Sequence, residues 1–250
     1  MFFLGLVLSA AIGLSLGLIG GGGSILTVPI LVYFLGVGPH SAVAMSLAVV
    51  GATSLFGTYL HWRVGNVDLS GGSLFGITGV AGALVGSPLT RLVSPEVLLL
   101  IFGVLMLVVA SVMLLGRRRQ VEDVPREAHP VKAAAAGAGV GVLTGFLGVG
   151  GGFLIVPALV LFGGMTMKKA IGTSLLVIFL NCVAGLVGHV SQGVLDWRLM
   201  SAVLALSVGG AAAGTLLSHR LEAHRLQRLF AILVLTVAVF LIAKNYTAAA

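Results

Sequence analysis

Long apolar stretches alternate with short glycine-rich or polar breaks along nearly the whole chain, and the alternation runs twice. Each half reads as an apolar stretch (3–19, then 133–147), a glycine-rich break, a short apolar piece (25–35, then 153–163) and three long segments. The long segments cover about 41–60, 70–91 and 96–115, then about 169–188, 199–218 and 226–243. Several reach the ~20 apolar residues that a helix needs to cross the hydrocarbon core. The pattern predicts an all-α, polytopic integral membrane protein. A polar stretch over 117–132, with Glu122, Asp123, Pro125 and Pro130, reads as a solvated connector between a first membrane repeat (1–116) and a second (133–250).

The halves are copies. Sliding the chain by 128 positions, the separation of Pro29 and Pro157, sets Gly17, Gly20, Gly22, Gly23, Leu26, Val28, Leu31, Val32, Phe34 and Gly36 on identical residues without a gap. Further along, Ser46, Gly57, His61, Gly65, Asp68, Gly82 and Gly86 meet Ser174, Gly185, His189, Gly193, Asp196, Gly210 and Gly214. Internal duplication of this kind is common in transporters.

Residues 3–35 as one helix would run about 50 Å at ~1.5 Å per residue, too long for a single crossing. A hairpin broken at the glycines fits better, and a hairpin plus three spans inverts the second half relative to the first. The distribution of Lys and Arg agrees. An inverted arrangement places 11 of them on one side and 3 on the other, whereas a parallel repeat divides them 8 to 6. The positive-inside rule then sets the central linker in the cytoplasm and both termini outside.

Two breaks, Gly20-Gly21-Gly22-Gly23-Ser24 and Gly148-Val149-Gly150-Gly151-Gly152, carry the candidate chemistry. Unpaired backbone groups in hydrocarbon cost several kcal/mol, so such a break belongs where protein or a polar cavity satisfies it. Short helices starting near Ser24 and Gly152 would offer free N–H groups and the positive ends of their dipoles there. Brought together by an inverted repeat, Gly22, Gly23, Ser24, Gly150, Gly151 and Gly152 make an anion site without a basic side chain. Pro29 and Pro157 would shape the short helices. The competing reading is that the glycines only let helices pack closely.

Ser46 and Thr53, and their counterparts Ser174 and Asn181, lie on one helical face of the following span, where they could hydrogen-bond an oxyanion or simply bond neighbouring helices. His61 and His189 are candidates for carrying a coupled proton, against the blander role of interfacial anchors. His40, His129, His219 and His224 read as solvated, and Asp68 and Asp196 as helix caps. Gly79, Gly82, Gly86, Gly210 and Gly214 read as packing positions.

Composition narrows the classes. Hydrophobic residues make up 58% of the chain and charged residues 8%, and the basic residues sit between spans rather than on one soluble face. That excludes a nucleic-acid binder. The apolar start resembles a signal peptide but lacks a basic leading segment and a small-residue cleavage site, and it reads as membrane structure. All seven acids fall in loops or at span ends, which disfavours a cation-coupled carboxylate site and tilts the cargo towards an anion. No catalytic residue, metal site or cofactor motif is evident, and the single Cys182 has no partner for a disulfide. A passive anion channel and a non-transporting scaffold stay open as alternatives, as does a homo-oligomer.

The doubled glycine triplet followed by proline, together with His61 and Gly65-Asn66-Val67-Asp68, resembles the TauE/SafE family of sulfite exporter or TSUP-type permeases, and the likeness runs over nearly the whole chain. It implies a secondary transporter of the plasma membrane for a small sulfur-containing anion such as sulfite, sulfoacetate or another organosulfonate. The second copy departs from the first at Val149 and at Ser191-Gln192, which stand opposite Gly21 and Arg63-Val64.

Overall fold

The computed structural model describes residues 2–86, 88–89, 95–115, 130–147, 152–189 and 196–249. Among them are ten α-helices and no strand: α1 (Phe2–Ile19), α2 (Gly22–Pro29), α3 (Pro39–Arg63), α4 (Leu69–Gly86), α5 (Pro95–Leu115), α6 (Pro130–Leu147), α7 (Gly152–Leu161), α8 (Met167–His189), α9 (Trp197–Arg220) and α10 (Ala223–Ala249). The chain is an all-α polytopic membrane protein. Ser41–Arg63, Leu69–Gly86, Met167–Leu186 and Trp197–Arg220 are each long and apolar enough to cross a bilayer, and shorter apolar helices include Leu4–Ile19, Gly103–Leu114 and Val131–Phe146. The connector 117–132 falls mostly outside the described residues, with α6 already starting at Pro130.

Local chemistry sets the boundaries. Pro39, Pro95 and Pro130 open their helices, where the missing N–H costs nothing. Asp68 Oδ1 accepts from Gly71 N at 2.9 Å, and Asp196 Oδ1 accepts from Arg198 N and Leu199 N at 3.0 and 3.1 Å, so both aspartates cap as expected. The second span is shorter than expected: α4 ends at Gly86 rather than near 91. Residues 88–89 are in a 3-10 turn, and Pro88 has no N–H with which to continue the α4 ladder.

Each proline of the short helices shifts the hydrogen-bond ladder beyond it. After Pro29 a π-helical segment, Ile30–Phe34, follows, with Leu35 N bonded to Ile30 O at 3.2 Å and Val37 N to Leu31 O at 2.9 Å. Beyond Pro157, Gly163 N reaches Ala158 O at 3.2 Å and Met165 N reaches Leu159 O at 3.1 Å, the same pairs displaced by 128. A proline has no N–H to give its helix, and the ladder recovers at wider spacing.

The duplication extends to atomic packing. A Cβ on Gly13 would strike the Ser207 carbonyl, and one on Gly17 the Ala211 carbonyl; Gly141 meets Gly79 and Gly145 meets Ala83 in the same way. Conversely, Gly210 and Gly214 press on Ala10 and Leu14, and Gly82 and Gly86 press on Ala138 and Val142. Every contact has its copy 128 residues away. Gly82, Gly86, Gly210 and Gly214 are therefore packing positions, letting α1 lie along α9 and α6 along α4. Helices α3 and α8, counterparts in the repeat, pack on each other, as do α5 and α10. Along the first pair, Gly57 lies against Leu175, Gly51 against Cys182 and Gly185 against Leu47, so the two helices run antiparallel.

Candidate functional site

At the first break, α1 ends at Ile19 and Gly20 takes a left-handed φ of +77° that suits glycine alone. Its carbonyl accepts from Ser174 Oγ at 2.6 Å, and Ser174 also lies 2.7 Å from the Ile171 carbonyl. A Cβ on Gly20 would stand 2.5 Å from that Ser174 oxygen, so both conformation and space require glycine. α2 then starts at Gly22 with Gly21 as its cap residue and no side chain capping it. The N–H groups of Gly22, Gly23 and Ser24 have no partner within the helix.

The two breaks meet. A Cβ built on Gly152, the first residue of α7, would lie 2.5 Å from Ser24 Oγ, 2.9 Å from the Gly21 carbonyl oxygen and 3.1 Å from Ile178 Cδ1. Ser24 and Gly152 are counterparts in the repeat, and Ile178 is the middle residue of α8. Equivalent helix starts thus stand together halfway along a spanning helix. Ser24 Oγ itself donates to the Gly21 carbonyl at 2.9 Å.

Thr53 and Asn181 sit where α3 crosses α8. Thr53 is 0% exposed, and neither its Oγ1 nor Asn181 Oδ1 has a hydrogen-bond partner, an expensive condition for buried polar atoms. Ile171, Ser174, Ile178 and Asn181 form one face of α8; this face meets the first break at Gly20 and the second at Gly152. Ser46 is buried on α3 at the position matching Ser174.

Other expected site residues fall elsewhere. Gly150 and Gly151 lie outside the described residues, as do the side chains of Pro29 and His189; Pro29 closes α2, Pro157 lies inside α7 and His189 ends α8. Gly22 and Gly23 also satisfy the packing reading, because a Cβ on either would strike Ser15 Oγ or the Ile12 carbonyl of α1. Small size there admits α1, and the first-turn N–H groups have no partner within α2, so the two readings coexist.

Sequence reasoning missed two polar residues and misplaced a third. Ser15 is buried with an unpartnered Oγ directed at Gly22, and Ser54 is buried with an unpartnered Oγ beside Thr53. Their repeat counterparts are Leu143 and Cys182, so matching the halves passed over them. A lone serine inside an apolar stretch was the available signal. His219, expected in or beside a loop and solvated, lies in the last turn of α9 and is half-buried, with its Nε2 buried and its ring edge-on to His61 at 5.3 Å between centroids. The parallel packing of α1 along α9 carries it inward.

The atoms closest to Gly20, Gly22, Gly23 and Gly152 are backbone, serine and aliphatic. Among the described residues no three His, Cys, Asp or Glu side chains gather. The arrangement offers backbone donors, helix-dipole ends and neutral hydroxyl and amide groups, which suits an anion held by hydrogen bonds.

The family model described as "Sulfite exporter TauE/SafE" matches residues 5–241. The chain belongs to the TauE/SafE family. It is 36% identical over 243 residues to a "Probable membrane transporter protein" of Xylella fastidiosa, covering 94% of this chain and 92% of that one. It is 30% identical over 208 residues to the "Probable membrane transporter protein YdhB" of Bacillus subtilis, covering 81% and 84%. No solved structure matches it. A TauE/SafE member with these helices is a membrane transporter.

Proposed function

We propose that the protein is a secondary transporter for a small sulfur-containing oxyanion, sulfite, sulfoacetate or another organosulfonate, bound between the two glycine breaks and moved by alternating access. The carrying observation is the meeting of Ser24 with Gly152 at mid-depth, which joins the first turns of α2 and α7. Backbone N–H groups at Gly22 to Ser24, and at 150–152 in the second half, hold the oxygens. Thr53, and Asn181 through its Oδ1, whose buried oxygens have no partner, orient the ligand with Ser46, and Ser174 fixes the Gly20 turn.

The halves act as inverted repeats, a reading supported by the antiparallel contacts of α3 with its own counterpart α8. On this reading the linker lies in the cytoplasm with most of the Lys and Arg, and exchange of the two hairpins opens the site to each side in turn.

Thermal stability of the detergent-purified protein against sulfite, thiosulfate, sulfate, sulfoacetate, taurine and chloride tests the proposal. A ligand at 100 times its Kd stabilises by about 2.7 kcal/mol. The expected result is a saturable rise in Tm for one class of sulfur oxyanion. Equal response to every anion, or to none, refutes it.

A further inference from the structure

We propose that His61 and His219 form a shared proton-binding site whose proton is taken up as the anion occupies the break; the second clause rests on the oxyanion reading above. His61 is 1% exposed, and its Nε2 donates to the Gly17 carbonyl at 3.1 Å. Gly17 lies in the last turn of α1, whose carbonyls have no helical partner, so the imidazole caps that helix. This bond fixes the proton on Nε2 and leaves Nδ1, which has no partner, as the basic atom. His219 presents a buried Nε2, also without a partner, and its ring meets His61 edge-on. A buried imidazole and a half-buried one therefore meet edge-on, each with one buried nitrogen that has no partner. A second positive ring 5.3 Å from the first is opposed by like charge, so the pair takes one proton.

The surroundings are sparsely charged. Helix α1 has no titratable side chain over 2–19. Helix α8 brings Lys168, which acts on His219, and Arg63 and Arg220 end the histidines' own helices. Asp68, on the loop before α4, is tied to α8 through its backbone N–H to Thr173 Oγ1 at 2.9 Å. At the start of α10, Glu222, just before the helix, pairs with Arg225, and His224 pairs with Arg228 at the surface. No carboxylate is in place to neutralise the pair among these groups except Asp68.

The pair is joined to the break by direct contacts. Gly17 precedes Gly20 by less than one helical turn, and Gly172, two residues before Ser174, would place a Cβ 2.9 Å from that of His61. The ends of α1 and α8 that hold His61 are thus the ends that shape the Gly20 turn. An anion entering a site without basic side chains favours a nearby positive charge, and the proton favours the anion equally, since linkage is reciprocal. By sequence the repeat sets Arg91 opposite His219, so the pair has no histidine-for-histidine copy.

Nitrogen-15 histidine NMR of the full chain in detergent, titrated from about pH 3.5 to 8, tests this, with His61→Gln and His219→Gln for assignment. Glutamine at 61 can still donate to Gly17 and preserve the cap. Ethanesulfonate, whose charge is constant over this range, is the probe, and its binding is followed separately by Tm. The expected result is one coupled protonation of His61 and His219. Each Gln variant uncouples the remaining histidine, and ethanesulfonate displaces the wild-type midpoint by about one pH unit, a tenfold linkage. Independent titration of the two rings overturns the proposal, as does ethanesulfonate that raises Tm without changing proton occupancy. If no anion raises Tm, the oxyanion reading fails and with it the coupling clause, while the titration still decides whether the pair is one proton site.

Discussion

Ser24 and Gly152, equivalent residues of the two halves, touch: a Cβ on Gly152 would lie 2.5 Å from Ser24 Oγ. One side chain occupies a space that two-fold repetition would otherwise fill twice. Gly152→Ala alone is expected to overpack this point and cost about 1–3 kcal/mol. Adding Ser24→Gly, which vacates the space, should recover most of the loss. Thermal unfolding of the two single variants and the double one gives the coupling; simple additivity would show that the breaks do not meet.

Adjacent residues of α9 should respond oppositely. Gly210 presses on the Ala10 carbonyl, whereas a Cβ on Gly209 meets nothing within 4 Å. Gly210→Leu is expected to separate α1 from α9 and abolish folded protein in size-exclusion chromatography. Gly209→Leu should give a wild-type profile. Gly82→Leu should fail like Gly210→Leu, because it occupies the matching place against α6.

Gly51→Cys tests the antiparallel crossing of α3 and α8. Its Cβ would lie 3.0 Å from that of Cys182, the single native cysteine, within about half an ångström of disulfide geometry. Oxidation should join the halves so that they migrate together after proteolysis in the linker until reductant is added. Separate halves without reductant would contradict the crossing.

Much of this was legible in the sequence. The shift of 128 located both breaks, both aspartate caps and the glycine seams, since duplication copies local chemistry along with residues. What escaped depends on contacts between distant segments. Ser15 matters through the return of α2 onto α1, and His219 through the packing of α9 against α1 and α3; neither has an identical partner in the other half. The π-helical segment after Pro29 follows from the ladder's recovery beyond a proline, which residue pattern alone does not locate.

Thr53→Val separates a ligand role from a structural one. The Thr53 hydroxyl is buried and unpartnered, so replacing it with a methyl should leave stability unchanged or raise it by up to about 1 kcal/mol. The same change should reduce the anion-induced rise in Tm at least tenfold in apparent affinity. Loss of stability with unaltered anion response would assign Thr53 to packing.

The most direct measurement is anomalous diffraction at the selenium edge from crystals grown with selenite, a heavier analogue of sulfite. The account predicts a selenium peak beside the first turn of α2, its oxygens about 2.7–3.2 Å from the Gly22 to Ser24 N–H groups and facing Gly152. A well-ordered break with no peak, or a peak only at the protein surface, would contradict it.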